Sequence, residues 1–119
     1  MRKITGSEKQ IKWANDIINR RIVEVETEIA MIKKHNPIKT DIPERWNTLE
    51  LIREGLAKRS QIAEQTKNKI SGLENLKTKL ENIELSARDI IDYFDSNNLI
   101  NLYNAKYPSI VFSKLGIKI

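Results

Sequence analysis

The sequence predicts an all-α, elongated protein: an antiparallel hairpin of two long helices, followed by a short third helix and an extended C-terminal tail. Apolar residues recur at steps of three and four from Ile11 to Ile32, and again from Leu49 to Ile83, which is the spacing of a single helix face. Between these runs the period is lost and Pro37 and Pro43 interrupt the chain, so direction reverses there. The 119 residues are 39% hydrophobic, 31% charged and only 6% aromatic, a profile of long helices rather than of a thick globule.

A single helical domain is expected over residues 1–119. Ser7 and, three residues on, Gln10 have the form of a capping box, in which hydroxyl and amide each satisfy a backbone group freed at a helix start. The first helix therefore spans residues 8 to 35, with Ile11, Ala14, Ile18, Ile22, Val25, Ile29 and Ile32 on its inner face. His35 falls in the last turn, where the helix dipole favours a cation, and Asn36 and Pro37 stop the helix.

Asp41 and Glu44 repeat the capping spacing, and Pro43 would occupy the tolerant first turn. The second helix is thus expected over residues 42 to 83, longer than the first. Its seam is Leu49, Ile52, Leu56, Ala63, Ile70, Leu73, Leu76, Leu80 and Ile83, with Trp46 continuing it at the closed end of the hairpin. Gly55 and Gly72 each cost about 1 kcal/mol relative to alanine, and Ser71–Gly72 marks a candidate kink. Two successive steps of three around Leu73 form a stammer, which overwinds a supercoil or marks where the packing partner changes. Arg59 and Thr66 occupy seam positions that call for apolar residues. Either they set register against a second copy of the chain, or the first helix ends before reaching them and leaves this part exposed for binding.

Ser86, with Asp89 three residues on, caps a third helix over residues 87 to 95, which carries Ala87, Ile90, Ile91 and Phe94. A helical turn follows around Leu99 to Tyr103. Residues 104 to 119 form the tail. Within it, Ile110, Phe112, Leu115, Ile117 and Ile119 suggest a strand from Ser109 to Ile119, for which Met1 to Thr5 is the available partner within the chain.

Composition narrows the chemistry. There are no cysteines and one histidine, so thiolate metal sites, disulfides and cysteine nucleophiles are excluded and no metal or cofactor is expected. Serine-nucleophile motifs and glycine-rich phosphate loops are absent, and the chain reads as a non-enzyme. No run approaches the ~20 apolar residues of a membrane span, so a soluble, cytoplasmic protein without membrane contact is expected. Asp89, Asp92 and Asp95 line one flank of the third helix as a solvated face. Residues 1–80 carry 17 basic and 11 acidic side chains, against 4 and 5 in the remainder. Arg53, Lys58, Arg59, Lys67, Lys69, Lys77 and Lys79 on the second helix are the candidate partner or nucleic-acid contacts, since spaced cations suffice to follow phosphates.

The stretch Gly6-Ser7-Glu8-Lys9-Gln10-Ile11-Lys12-Trp13-Ala14 resembles the start of small uncharacterised proteins encoded by bacterial phages and plasmids. Ser86-Ala87-Arg88-Asp89-Ile90-Ile91-Asp92 is similar to a second element of those proteins, with Ile90 standing where they tend to have an aromatic residue. The resemblance implies a mobile-element origin, hence the cytoplasm of a bacterial host, and packing of the two stretches with Trp13 covered by Ile90, Ile91 and Phe94; since Trp13 lies off the apolar stripe of the first helix, the alternative is an exposed anchor for a partner. The resulting expectation is a protein that binds and sterically modulates a host protein or ribonucleoprotein machine, including as an anti-defence inhibitor of the anti-CRISPR kind. The alternatives are direct nucleic-acid binding through the basic side chains of the second helix, and a self-assembling coiled-coil homodimer.

Overall fold

The computed structural model describes residues 1–36 and 41–118. The order of elements is β1 (Lys3–Thr5), α1 (Glu8–His35), α2 (Leu49–Glu81), β2 (Glu84–Ser86), α3 (Ala87–Phe94), α4 (Leu99–Asn104) and α5 (Ile110–Lys114). The molecule measures 67 × 23 × 22 Å and has a radius of gyration of 19.3 Å, against about 13.5 Å for a compact domain of this length. The elongated, helical architecture is as the seam spacing predicts.

The capping box forms: the Gln10 amide donates to the Ser7 hydroxyl and the Ser7 amide to the Gln10 side chain, at 3.3 and 3.4 Å. From there α1 runs unbroken for 28 residues. α1 and α2 are antiparallel, because Glu26 meets Lys77 at 3.1 Å while Lys33 and Asn36, further along α1, lie beside Ser60 to Glu74. α2 continues unbroken through Gly72 as one 33-residue helix. Gly72 is needed there for closeness, since a Cβ would overlap the Tyr103 hydroxyl that rests on it.

β1 and β2 pair in parallel, Ile4 opposite Leu85, and Lys3 N–H donates to the Ile83 carbonyl at 2.8 Å. Each strand leads into a serine-capped helix, so α1 and α3 leave the pair side by side and in the same direction. Ser86 accepts from Asp89 N–H, the predicted cap. One continuous core results: Ala14 to Ile32 of α1, Leu73, Leu76 and Leu80 of α2, Ile83, and Ala87, Ile90, Phe94, Leu99, Val111, Phe112 and Leu115 from the C-terminal third. Every fully buried residue of α2 lies from Leu73 onward.

Five expectations are corrected. The second helix begins at Leu49, not near Ile42: Thr48 is its cap, accepting from Leu51 N–H at 3.2 Å. Residues 41–48 instead fold back along α2, and the Trp46 indole lies against Gly55. In a helix from residue 42 those two would stand about 13 Å apart. Trp46 is therefore a half-buried clasp on its own helix rather than a core residue of the hairpin. At the other end α2 stops at Glu81, with Asn82 as C-cap, so Ile83 is buried beyond the helix.

The tail is helical rather than a strand. Ser109 caps α5 by accepting from Phe112 N–H, and the buried residues Val111, Phe112 and Leu115 follow a helical step while Ile110 faces solvent. The strand that pairs with the N-terminus is Glu84–Ser86. Trp13, finally, is not covered by α3: it is 51% exposed, because the face of α1 that meets α3 carries Ala14, Ile17, Ile18 and Arg21. The readings placed on Pro37 and Ile119 lie outside the described residues.

Candidate protein-binding arm

The antiparallel offset determines what α2 leaves uncovered. Asn36 shares a cleft with Ser60 to Glu74, and carrying the Glu26–Lys77 pair ten residues along both antiparallel helices puts it near Lys67, so residues 49–63 project past the described end of α1 by roughly 22 Å at 1.5 Å per residue. This projecting arm carries Leu49, Ile52, Leu56, Arg59 and Ala63 in heptad register with the buried Leu73. Of these, Leu49 is 63% and Leu56 44% exposed, while Ile52, Arg59 and Ala63 are half-buried. The same apolar seam is thus a core at one end of α2 and an apolar band with exposed leucines at the other. Exposed leucines on one stripe of a helix mark a candidate interaction surface.

The arm is braced on one side. The Arg59 guanidinium lies 4.6 Å from the centre of the Trp46 ring and also donates to the Asp41 carbonyl, so the polar seam residue joins a cation–π clasp. Alanine at Gly55 would occupy the space of the Trp46 ring. Gly55→Ala, in a Trp13→Phe background, is expected to red-shift Trp46 fluorescence while moving stability by less than about 1 kcal/mol, as gained helix propensity offsets the lost contact. An unshifted emission maximum would contradict the clasp.

The remaining sequence-predicted cations are spread around α2. Arg53, Lys58, Lys67, Lys69 and Lys79 are exposed. Lys77 is not a free contact: it is held by Glu26 at 3.1 Å and Glu81 at 3.8 Å. The bond and charge of Glu26, reinforced by Glu81 and Glu74, raise its pKa above the usual lysine value. Its contribution to stability is therefore present through neutral pH and is lost as pH rises through that raised value. Arg53 and Lys67 border the apolar band on one edge.

Asp89 pairs with Lys114, Asp92 with Arg88 and Asp95 with Arg20, so the row of aspartates is a set of ion pairs. Among the described residues no cluster of three or more His, Cys, Asp or Glu side chains could hold a metal, and no helix is long and apolar enough to cross a membrane. Sequence reasoning missed Arg21, which is 9% exposed and donates from Nε to the Phe94 carbonyl at 2.8 Å and from Nη2 to the Asp95 carbonyl at 2.6 Å. No family model, curated protein or solved structure matches the chain.

Proposed function

We propose that this chain is a non-enzymatic binding protein that grips a partner through the projecting arm of α2, by burying the unfinished seam against an amphipathic helix of that partner. The observation that carries this reading is the seam itself, in register from Leu49 to Leu73 and apolar apart from Arg59 and Thr66, with Leu49 and Leu56 exposed where α1 does not reach it. Helix-on-helix docking reads such a face through anchors at heptad spacing. The basic edge of Arg53 and Lys67 favours a partner helix with acidic flanks. A second copy fits less well: antiparallel pairing centred on Leu56 would bring Arg53 of one chain against Arg59 of the other. Steric modulation of a host protein or nucleoprotein machine, including an anti-defence role, belongs to this proposal, and the mobile-element resemblance motivates it.

The test uses two designed helical peptides with leucine at a and d, one with glutamate and one with lysine at e and g. The glutamate peptide is expected to bind at least tenfold more tightly, reported by Trp46 fluorescence. The double variant Leu49→Ser, Leu56→Ser is expected to abolish binding while stability in urea changes by no more than about 1 kcal/mol, since these side chains are largely exposed. Equal affinity for both peptides would remove the charge argument. Unchanged binding by the variant would remove the arm, and a concentration-dependent dimer by light scattering would favour the self-assembling alternative.

A further inference from the structure

On the side of α2 turned away from the seam, Gln65, Asn68 and Lys69 form one wall of an open groove of about 1060 Å³. The opposite wall comes from the turn after α4, with Asn104 and Lys106, and from the turn after α5, with Lys118. Three lysines from three separate segments converge here, and none of the residues lining the groove is acidic. All three are exposed, and none makes an ion pair among the described residues, in contrast to Lys77, Lys3 and Lys114. Carboxamides beside them supply neutral donors and acceptors.

Lys106 adds an independent observation. α4 and α5 end in the same backbone motif. Tyr107 N–H bonds to the Leu102 carbonyl and Lys106 N–H to that of Tyr103; Ile117 N–H bonds to Phe112 and Gly116 N–H to Ser113. This double closure places its second-last residue in the left-handed region, where glycine is favoured. α5 has glycine there, Gly116 at φ +74°, but α4 has Lys106 at φ +51°. The position holds a strained lysine where its counterpart holds an unstrained glycine, and what it gains is a cation at the lip of the groove.

We infer that this groove binds the phosphodiester backbone of a single-stranded nucleic acid. Lysines act as point charges on phosphates, and the carboxamides can reach phosphate or base-edge atoms. A duplex, comparable in width to the molecule's whole cross-section of 23 × 22 Å, cannot enter a groove cut within that section. The groove lies on the side of α2 opposite Leu49 and Leu56, so a protein helix and a nucleic-acid strand can be held together. This site is distinct from a stripe of cations along α2: only Lys69 belongs to both.

The test is fluorescence anisotropy with labelled oligothymidylate and oligouridylate of about 12 nucleotides, titrated from about 50 mM salt upward. Binding is expected with a log–log salt slope near −2, the value for three neutralised phosphates on a single strand at about 0.7 each. Lys69→Gln, Lys106→Gln, Lys118→Gln together are expected to weaken binding at least tenfold and flatten that slope. Lys58→Gln, Lys79→Gln, on α2 but outside the groove, should stay within twofold of the parent. Lys106→Gly is expected to raise the melting temperature by a few degrees while lowering affinity, a split that a purely structural lysine would not produce. No binding at low salt, equal losses in the two charge-removal variants, equal affinity for duplex, or equal competition by polyglutamate would each overturn the inference.

Discussion

Replacing Phe94 with alanine is expected to destabilise the protein by about 3 to 5 kcal/mol, the range for truncating a fully buried aromatic side chain. Phe94 is the last residue of α3, is 0% exposed, and belongs to the core cluster that joins α1 to the C-terminal helices. Its backbone carbonyl also receives Arg21, so loosening the end of α3 disturbs two interactions at once. Small domains have total stabilities of about 5 to 15 kcal/mol, so the variant should be partly unfolded at ambient temperature. Urea denaturation followed by circular dichroism measures this. A midpoint close to that of the parent would mean that α3 is not integral to the core.

The second large effect is expected at Arg21. Arg21→Ala removes three hydrogen bonds, to the Phe94 and Asp95 carbonyls and to Glu24 at 2.6 Å, together with the packing of the side-chain stem. Of these, the contact with Glu24 is a partly exposed pair and contributes little. The weight lies in the two carbonyls at the end of α3, which lose a charged donor beside the core, and a cost of about 2 to 4 kcal/mol follows. Arg21→Met keeps the stem, so the difference between the two variants separates packing from hydrogen bonding. Because Arg21 binds the carbonyl of Phe94, the Arg21→Ala and Phe94→Ala effects should not add, and a double-mutant cycle should show the coupling. Strict additivity would argue against the contact.

The long helices and the caps Ser7 and Ser86 were legible because their causes are local: an apolar residue every three or four positions, and a hydroxyl three residues before the amide it accepts. Where a distant contact competes with a local pattern, sequence reasoning went astray. The Asp41–Glu44 spacing resembles a cap, but Trp46 finds its partner nine residues ahead at Gly55, which forces the chain to double back and defers the helix to Leu49. In the tail, Ile110, Phe112 and Leu115 suit a strand as well as a helix over so few positions, and exposure of Ile110 with burial of Val111 decides for the helix. Arg21 was missed because an arginine on a helix ordinarily reads as solvent-facing, and the carbonyls it serves lie more than seventy residues away. The arm was half legible: Arg59 and Thr66 marked a seam short of its partner, but only the offset of α1 against α2 shows where the shortfall begins. The groove left no signal in the order of residues, since its walls come from positions 65–69 and 104–118.

The parallel pairing of β1 with β2 has a consequence for how the chain is made. β1 hydrogen-bonds with three residues about eighty positions later, and the inner face of α1 finds most of its cover from Ile70 onward. During vectorial synthesis a ribosome would therefore release the whole of α1 with its aliphatic face bare, and more than half of the chain would pass before anything could shield it. Closure then joins segments far apart in sequence, which slows folding relative to a simple up-and-down bundle. The interval between emergence and closure is when this protein is most open to aggregation or to capture by a chaperone.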